Sequence, residues 1–245
     1  MLGHSHALSG AAVGLATGVV LRFPHLETAG FAVLTAGTVL VCDLDSVGSC
    51  SARSLGLLSR AVAYVIRLVS GGHRHATHSV LGIGAFTGLA WLACHFRHDD
   101  AGRAGLAFLV ALSVSAGLEA LGVFRHIPVP RILRGGHAED LAGVLAAAAV
   151  VWRGYGLALI PLAMLLGCCT HIIGDMLTDS GCNLAWPLTR FKFKLLPEPL
   201  AFSTGTDPEI YFVAPLLAIS LIPLAVLAIY PASGPLAWAY VAHYI

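Results

Sequence analysis

Four short segments hold most of the side chains in this sequence suited to binding an ion or moving a proton. They are His4-Ser5-His6, Asp43-Leu44-Asp45, the run from His73 to Ser79 (His-Arg-His-Ala-Thr-His-Ser) and His171-Ile172-Ile173-Gly174-Asp175. His171 and Asp175 are four apart, which puts them on one face of a helix. Such a pair clamps one divalent ion or makes a plain His–Asp hydrogen bond at a helix end. His75 and His78 are three apart and converge in the same way if helical, whereas His73 and His75 cannot share a helix face. Thr77 and Ser79 add hydroxyls, and Arg74 adds a planar fork matched to phosphate or carboxylate. Three histidines within six residues are more than packing requires. Asp43 and Asp45 reach one side in an extended or turn geometry and diverge on a helix, so a metal pocket and a pair of helix caps are both open. The absence of Lys or Arg from the preceding apolar segment favours the metal. His4 and His6 share that ambiguity.

The elements that position these groups must be membrane helices. The 245 residues are 57% hydrophobic and 11% charged, with 27 glycines, far from a soluble domain. A span takes about 20 apolar residues, with a range of roughly 17–25. Runs near that length fall at 7–21, 28–42, 78–95, 104–123, 138–152, 155–178 and 210–230. The expected fold is therefore all-α: one polytopic domain over 1–245 with about seven transmembrane helices, and a short interfacial segment at 235–245. The four ligand-rich segments all border one end of a span on the same side. Charged and imidazole groups near lipid are costly unless they pair, bind an ion or line a wet cavity.

Basic residues set the orientation, since they favour the cytoplasm in short loops. Loops 43–77, 124–137 and 179–209 carry ten of the fourteen Lys and Arg residues; the other side carries Arg22, Arg97, Arg103 and Arg153. The N-terminus and the ligand-rich side are thus expected in the cytoplasm, in an inner or plasma membrane. The net charge of +1 says nothing about partners, because the asymmetry lies across the bilayer. The first apolar run lacks the basic start of a cleavable signal. The six cysteines include no C-x-x-C pair. Cys42, Cys94, Cys168 and Cys169 suit packing within spans, and Cys50 and Cys182 stand as minor ligand candidates. A disulfide framework does not fit a cytoplasmic face.

Residues 54–70 form an amphipathic helical pattern, with Arg53, Arg60 and Arg67 spaced by seven opposite Leu57, Leu58, Val65 and Leu68. An interfacial helix is expected there, its guanidinium groups toward anionic headgroups. Gly10, Gly14 and Gly18, like Gly82, Gly84 and Gly88, suit close helix packing in lipid. Glu119 is an intramembrane carboxylate, and Gly135 to Asp140 is a ligand-rich turn whose acids also suit a helix start. In loop 179–209, Arg190 to Lys194 alternates basic and aromatic residues, and Glu209 opens the last span, where an acid is also stabilised by the helix dipole. His25, His95, His98 and His243 fall on the opposite side and receive no role; His126 reads as a surface residue.

The H-R-x-x-T-H-S run at His73 to Ser79 and the H-x-x-G-D-x-L-T run at His171 to Thr178 resemble the YdjM-type inner-membrane proteins, a group regarded as metal-dependent hydrolases. The likeness extends through His4 to Gly10, Asp43 to Asp45, Gly181, Trp186-Pro187, Ser203 to Gly205 and Glu209. In that family's pattern a proline precedes the first aspartate and a histidine follows the second; Cys42 and Ser46 stand at those places. The resemblance implies a membrane-embedded hydrolase with no fixed substrate. With the residues above, it gives expected metal ligands His6, Asp43, Asp45, His73, His78, His171 and Asp175, and expected catalytic residues Arg74, Thr77, Asp175 and Glu209. Mixed imidazole and carboxylate donors suit zinc first, with manganese or iron as alternatives, as one ion or two. A site at the lipid–water boundary points to membrane lipids as surroundings and to a small-molecule or lipid-linked ester, amide or phosphoester as substrate; nucleic acid is not expected. The rival readings are a metal-ion transporter or sensor, which needs ligands near the midplane and a route to both faces, and a non-catalytic adaptor with a basic cytoplasmic face. A lipid amidase similar in logic to the alkaline ceramidases is an analogy without matching motifs.

Overall fold

The computed structural model describes residues 1–125, 127–154 and 156–229. The expected interfacial segment at 235–245, together with His126 and His243, lies outside the described residues. Among those described there are nine α-helices and no strand: α1 (Gly3–Val20), α2 (His25–Thr38), α3 (Cys50–Arg53), α4 (Leu57–Ser70), α5 (Val80–His95), α6 (Asp100–Leu121), α7 (His137–Arg153), α8 (Leu159–Met176) and α9 (Ala214–Ile229).

A helix stands at each of the seven expected positions, but only four are long and apolar enough to cross a membrane. These are α2 with its 3-10 extension (His25–Asp45), α6, α8, and α9 with the π-helical turn before it (Glu209–Ile229). The other three fall short for physical reasons. The 16 residues of α5 rise only about 24 Å against a hydrocarbon core of about 30 Å. The first turn of α7 carries Glu139 and Asp140 and its last turn Arg153. In α1, His4 and His6 fall inside the helix and dilute its apolar stretch.

Helix α2 is the hub. It packs against α1, α6 and α8, and α5 bridges α6 to α8. Two-thirds of its span is enclosed by protein, whereas the α9 span is almost wholly uncovered and touches mainly α1. Close approach is achieved by small residues, because lipid tails give helices no hydrophobic reason to associate. A Cβ at Gly14 would sit 2.6 Å from Ala32 Cα, and one at Gly167 would sit 2.7 Å from Val39 N. Both contacts hold their helices against α2 at backbone distance. The core between them is aliphatic, with Leu106, Leu112 and Met164 fully enclosed and Ile160 buried beside them.

The connection 43–77 folds back rather than projecting. After the 3-10 turn Val41–Asp45, Ser49 caps α3 by accepting from Ala52 N, and α4 runs to Ser70. Gly71 and Gly72, both at positive φ, then turn the chain toward a second 3-10 turn, Ala76–His78. The segment at His75–His78 is therefore not part of a long helix. Helix α5 starts at Val80, with Ser79 as its N-cap accepting from Gly82 N, and the helical convergence expected of His75 and His78 gives way to turn geometry. The 179–209 segment also lies back on the bundle: Val80 N donates to Leu184 O, Leu195 N to Met176 O, and Cys182 pairs with Phe193.

Candidate metal centre

The start of α1, the turn after α2, the turn before α5 and the end of α8 meet at one end of the bundle. Alternating chain direction brings them together, although they are far apart in sequence. His6 Nε2 lies 3.2 Å from Asp175 Oδ1, and His171 Nε2 lies 3.1 Å from His78 Nε2. Asp43 Oδ1 is 3.4 Å from His78 Nε2 and 3.6 Å from His171 Nε2; Asp175 Oδ2 is 3.7 Å from each. Each carboxylate thus reaches both imidazole nitrogens. Donors bound about 2.0–2.1 Å from a tetrahedral zinc lie about 3.3 Å apart, close to these six separations. His6 stacks on His171 with ring centroids 3.9 Å apart and an interplanar angle of 15°.

The donor set itself tests whether an ion fits. Asp175 Oδ2 is buried and makes no hydrogen bond, and Arg74 Nη2 at 3.3 Å is the cation that faces it, so the oxygen keeps room for a ligand. His6, His78 and His171 are fully buried, and two imidazole nitrogens facing each other beside two carboxylates form an arrangement that a cation relieves. Three sets of donors lie within mutual coordinating reach: His6, His171 and Asp175; Asp43, His78 and His171; Asp43, Asp45 and His73. Asp43 belongs to two of them, so its carboxylate stands where a bridge between two ions would be.

Asp45 holds its neighbours in place. Its Oδ1 meets His73 Nδ1 at 2.7 Å, and its Oδ2 accepts from Arg74 N at 2.9 Å and from the Thr77 hydroxyl at 2.5 Å. The Thr77 oxygen also lies 2.9 Å from His78 Nδ1. With its only proton given to Asp45, Thr77 accepts from His78 Nδ1–H, and this directs Nε2 into the centre. Burial alone would push the His78 ring down, but Asp43 and Asp45 outweigh it and raise the pKa to about 9. The metal-free ring is therefore cationic at neutral pH.

Arg74 adopts φ +63°, a left-handed conformation that a non-glycine residue holds at a cost of roughly 1–3 kcal/mol. Its N–H is held by Asp45, its carbonyl accepts from Asn183 Nδ2 at 3.2 Å, and its Nη2 reaches Asp175 Oδ2 at 3.3 Å. The guanidinium, 24% exposed, and His73, 41% exposed, are the parts of the cluster most open to solvent.

Glycine in the H-x-x-G-D run has a local explanation. A Cβ at Gly174 would lie 3.1 Å from His6 Cε1 and 2.9 Å from Met1 Sδ, so a side chain there would push the His6 ring and the Met1 tip away from α8.

Not every expected site residue joins the cluster. Glu209 is fully buried, and its oxygens accept from Leu2 N at 2.6 Å and Gly205 N at 2.8 Å, which ties α1 to the start of the last span. Among the described residues it belongs to none of the donor sets. His75 turns elsewhere, its Nδ1 buried without a partner. Cys182 donates weakly to Ile172 O, and burial pushes its thiol up to about 12; neither it nor Cys50 enters a donor set. Glu119 is paired with Arg53 at 2.7 Å. Asp140, in the first turn of α7, accepts from Leu55 N and the Ser115 hydroxyl. The reasoning from sequence missed Asn183 and Gly174 as supports of the site, and only the H-x-x-G-D spacing hinted at the glycine.

The model of the YdjM inner membrane protein family matches residues 1–129 and 140–244. The chain belongs to the YdjM inner membrane protein family. Comparison with curated proteins and with solved structures finds no match. The His/Asp cluster of this YdjM membrane protein draws on the matched segments throughout, since every residue named in its three donor sets falls within them.

Proposed function

We propose that this protein is a membrane-embedded metal-dependent hydrolase acting at the lipid–water boundary on a lipid or lipid-linked ester, amide or phosphoester. Its main support is the convergence of Asp43 and Asp175 on the facing His78 and His171 nitrogens at 3.4–3.7 Å, with a buried Asp175 oxygen that makes no hydrogen bond. These four, with His6 beside them, would hold the first ion; Asp43, Asp45 and His73 would hold a second. Zinc is the preferred ion, with manganese or iron as alternatives. A bound ion would supply Lewis acidity and bring the pKa of a water toward about 7.

The protein's own groups do the rest. Arg74 is placed to hold an anionic oxygen of the substrate, as a phosphate or as the charge that develops during hydrolysis. Thr77 keeps His78 oriented. Where only the first centre is filled, His73 is the proton acceptor, open to solvent and backed by Asp45; that task passes to it from Glu209, whose oxygens are occupied by backbone N–H groups. Asp175 serves as ligand. A cluster confined to one end of the bundle favours hydrolysis over transport, which calls for ligands deeper in the bilayer. In the same proposal α1, α2 and α5 to α9 lie in the membrane, the ligand-bearing end faces the cytoplasm, and α4 lies along the interface with Leu57, Val65 and Leu68 toward lipid.

The test is metal analysis by mass spectrometry on detergent-purified protein, wild type beside His78→Ala and Asp175→Ala. Near-stoichiometric zinc, manganese or iron that falls in both variants supports one shared centre; screening of lipid esters, amides and phosphoesters then follows. A wild type that stays metal-free after reconstitution with each ion overturns the proposal.

A further inference from the structure

A second site lies outside the His/Asp cluster. A cavity of about 780 Å³ opens between α3–α4, the end of α6 and the segment leading into α7. Arg53, Arg60, Arg125 and Arg134 converge on it from four stretches of chain. The acids in its wall do not neutralise them. Glu119 is committed to Arg53, and Asp140 to Leu55 N and Ser115. Arg60, Arg125 and Arg134 have no carboxylate within 4 Å among the described residues, and Glu139 is the one acid left over in the lining. Four exposed arginines lining one cavity are an arrangement suited to phosphate, which guanidinium groups bind by paired, charge-assisted hydrogen bonds.

Two further observations point the same way. Helix α7 begins in the cavity wall at Gly135-Gly136, with no side chain capping its first turn, so free N–H groups there add to the anion preference. The lining also includes the apolar Ile127 and Leu133, and Ile132 beside Leu133 in the chain is exposed. On the floor of α4, Arg60 shares a helix with the exposed Leu57, Leu58 and Val65. A lining that combines arginines with apolar side chains suits an amphiphile whose polar end is a phosphate.

We propose that this cavity binds a phosphate group, carried by a phospholipid head or by a free phosphate, through Arg60, Arg125 and Arg134. The site is distinct from the His/Asp cluster and its occupation does not depend on hydrolysis there. Glu139 opposes the anion and sets the affinity below what three arginines alone would give.

The experiment is native mass spectrometry of the full-length protein in detergent, titrated with short-chain phosphatidylglycerol and, separately, with inorganic phosphate at constant ionic strength. The Arg125→Gln/Arg134→Gln double variant should weaken binding by roughly tenfold or more. Arg153→Gln, at the far end of α7, should leave it unchanged. Glu139→Gln should tighten it by a few-fold, a gain that damage to the fold would not produce. Inorganic phosphate that binds and displaces the lipid marks recognition of the phosphate itself; lipid that resists displacement marks the phospholipid as the ligand. Binding of both probes that is the same in the wild type, the double variant and Glu139→Gln, or no binding of either probe to the wild type, overturns the proposal.

Discussion

Replacing Thr77 by valine keeps the shape of the side chain and removes one oxygen, and that oxygen stands between Asp45 at 2.5 Å and His78 at 2.9 Å. The variant leaves His78 Nδ1–H without its acceptor and Asp45 Oδ2 with one donor, Arg74 N, in place of two, in a site sealed from water. No proposed ligand is lost. What changes is the freedom of the His78 ring to turn Nε2 away from Asp43 and His171. Supports of this kind are worth about 10–100-fold in metal affinity, or roughly 1.4–2.7 kcal/mol. That range agrees with the loss of one hydrogen bond to a charged group, about 1.5–3 kcal/mol. The assay is competition for zinc between the detergent-solubilised protein and a chromophoric chelator at pH 7.5, with thermal unfolding as a control for the fold. Thr77→Ser should return affinity to within about threefold of wild type, because a serine hydroxyl retains both bonds. A Thr77→Val protein that binds zinc as tightly as wild type would refute the chain from Asp45 through Thr77 to His78. So would a serine variant that fails as badly as the valine.

The metal-free protein should lose stability as pH rises from about 6.5 to about 9. His78 holds its proton more tightly folded than unfolded, since Asp43 and Asp45 face it and Asp175 and His171 lie against the same ring. That stabilisation is complete below the unfolded pKa of about 6.5 and is lost through the folded value of about 9, amounting to at most roughly 3 kcal/mol. Unfolding midpoints of chelator-treated protein across this window give the answer, and a flat profile would remove His78 as the proton holder. Gly174→Ala should cost roughly 1–3 kcal/mol of stability through overpacking, and should weaken metal binding as well, because the added methyl meets His6 at 3.1 Å. Unfolding and zinc competition measured on the same sample decide it; metal binding like that of wild type would mean that His6 does not depend on this contact.

The sequence shows the helices more clearly than their lengths. All seven apolar runs become helices because hydrophobic periodicity and turn residues are local properties. Whether each reaches across a bilayer depends on how its ends are used: α5 gives up length to the turn that carries His78, and α7 carries Glu139 and Asp140 in its own first turn. His171 and Asp175 are legible for the same local reason: an i, i+4 pair on a helix has one outcome. The partition of labour between Asp43 and Asp45 is not. Both sit on one 3-10 turn, and only the fold brings Asp43 to His78 and His171 and Asp45 to His73 and Thr77. Glu209 misleads because an acid at the start of a span looks equally apt for catalysis and for holding backbone N–H groups. The arginine-lined cavity is hidden altogether, since Arg60 and Arg125 are 65 residues apart and come to one cavity only when α3, which α4 packs on, docks against α6.

His6 and Asp175 meet across 169 residues, with α2 through α7 made between them. During synthesis the chain emerges from its N-terminus, so His6, Asp43 and His78 are all present before the codons of α8 are read. At that stage they lack His171 and Asp175, and with them the contacts that would draw the cluster together. The penultimate long helix completes the set, and its docking against α1 and α2 is the moment at which all four central donors first exist in one place. A nascent chain halted before α8 should therefore leave the membrane unable to hold an ion at this centre, so that metal loading reports on late assembly.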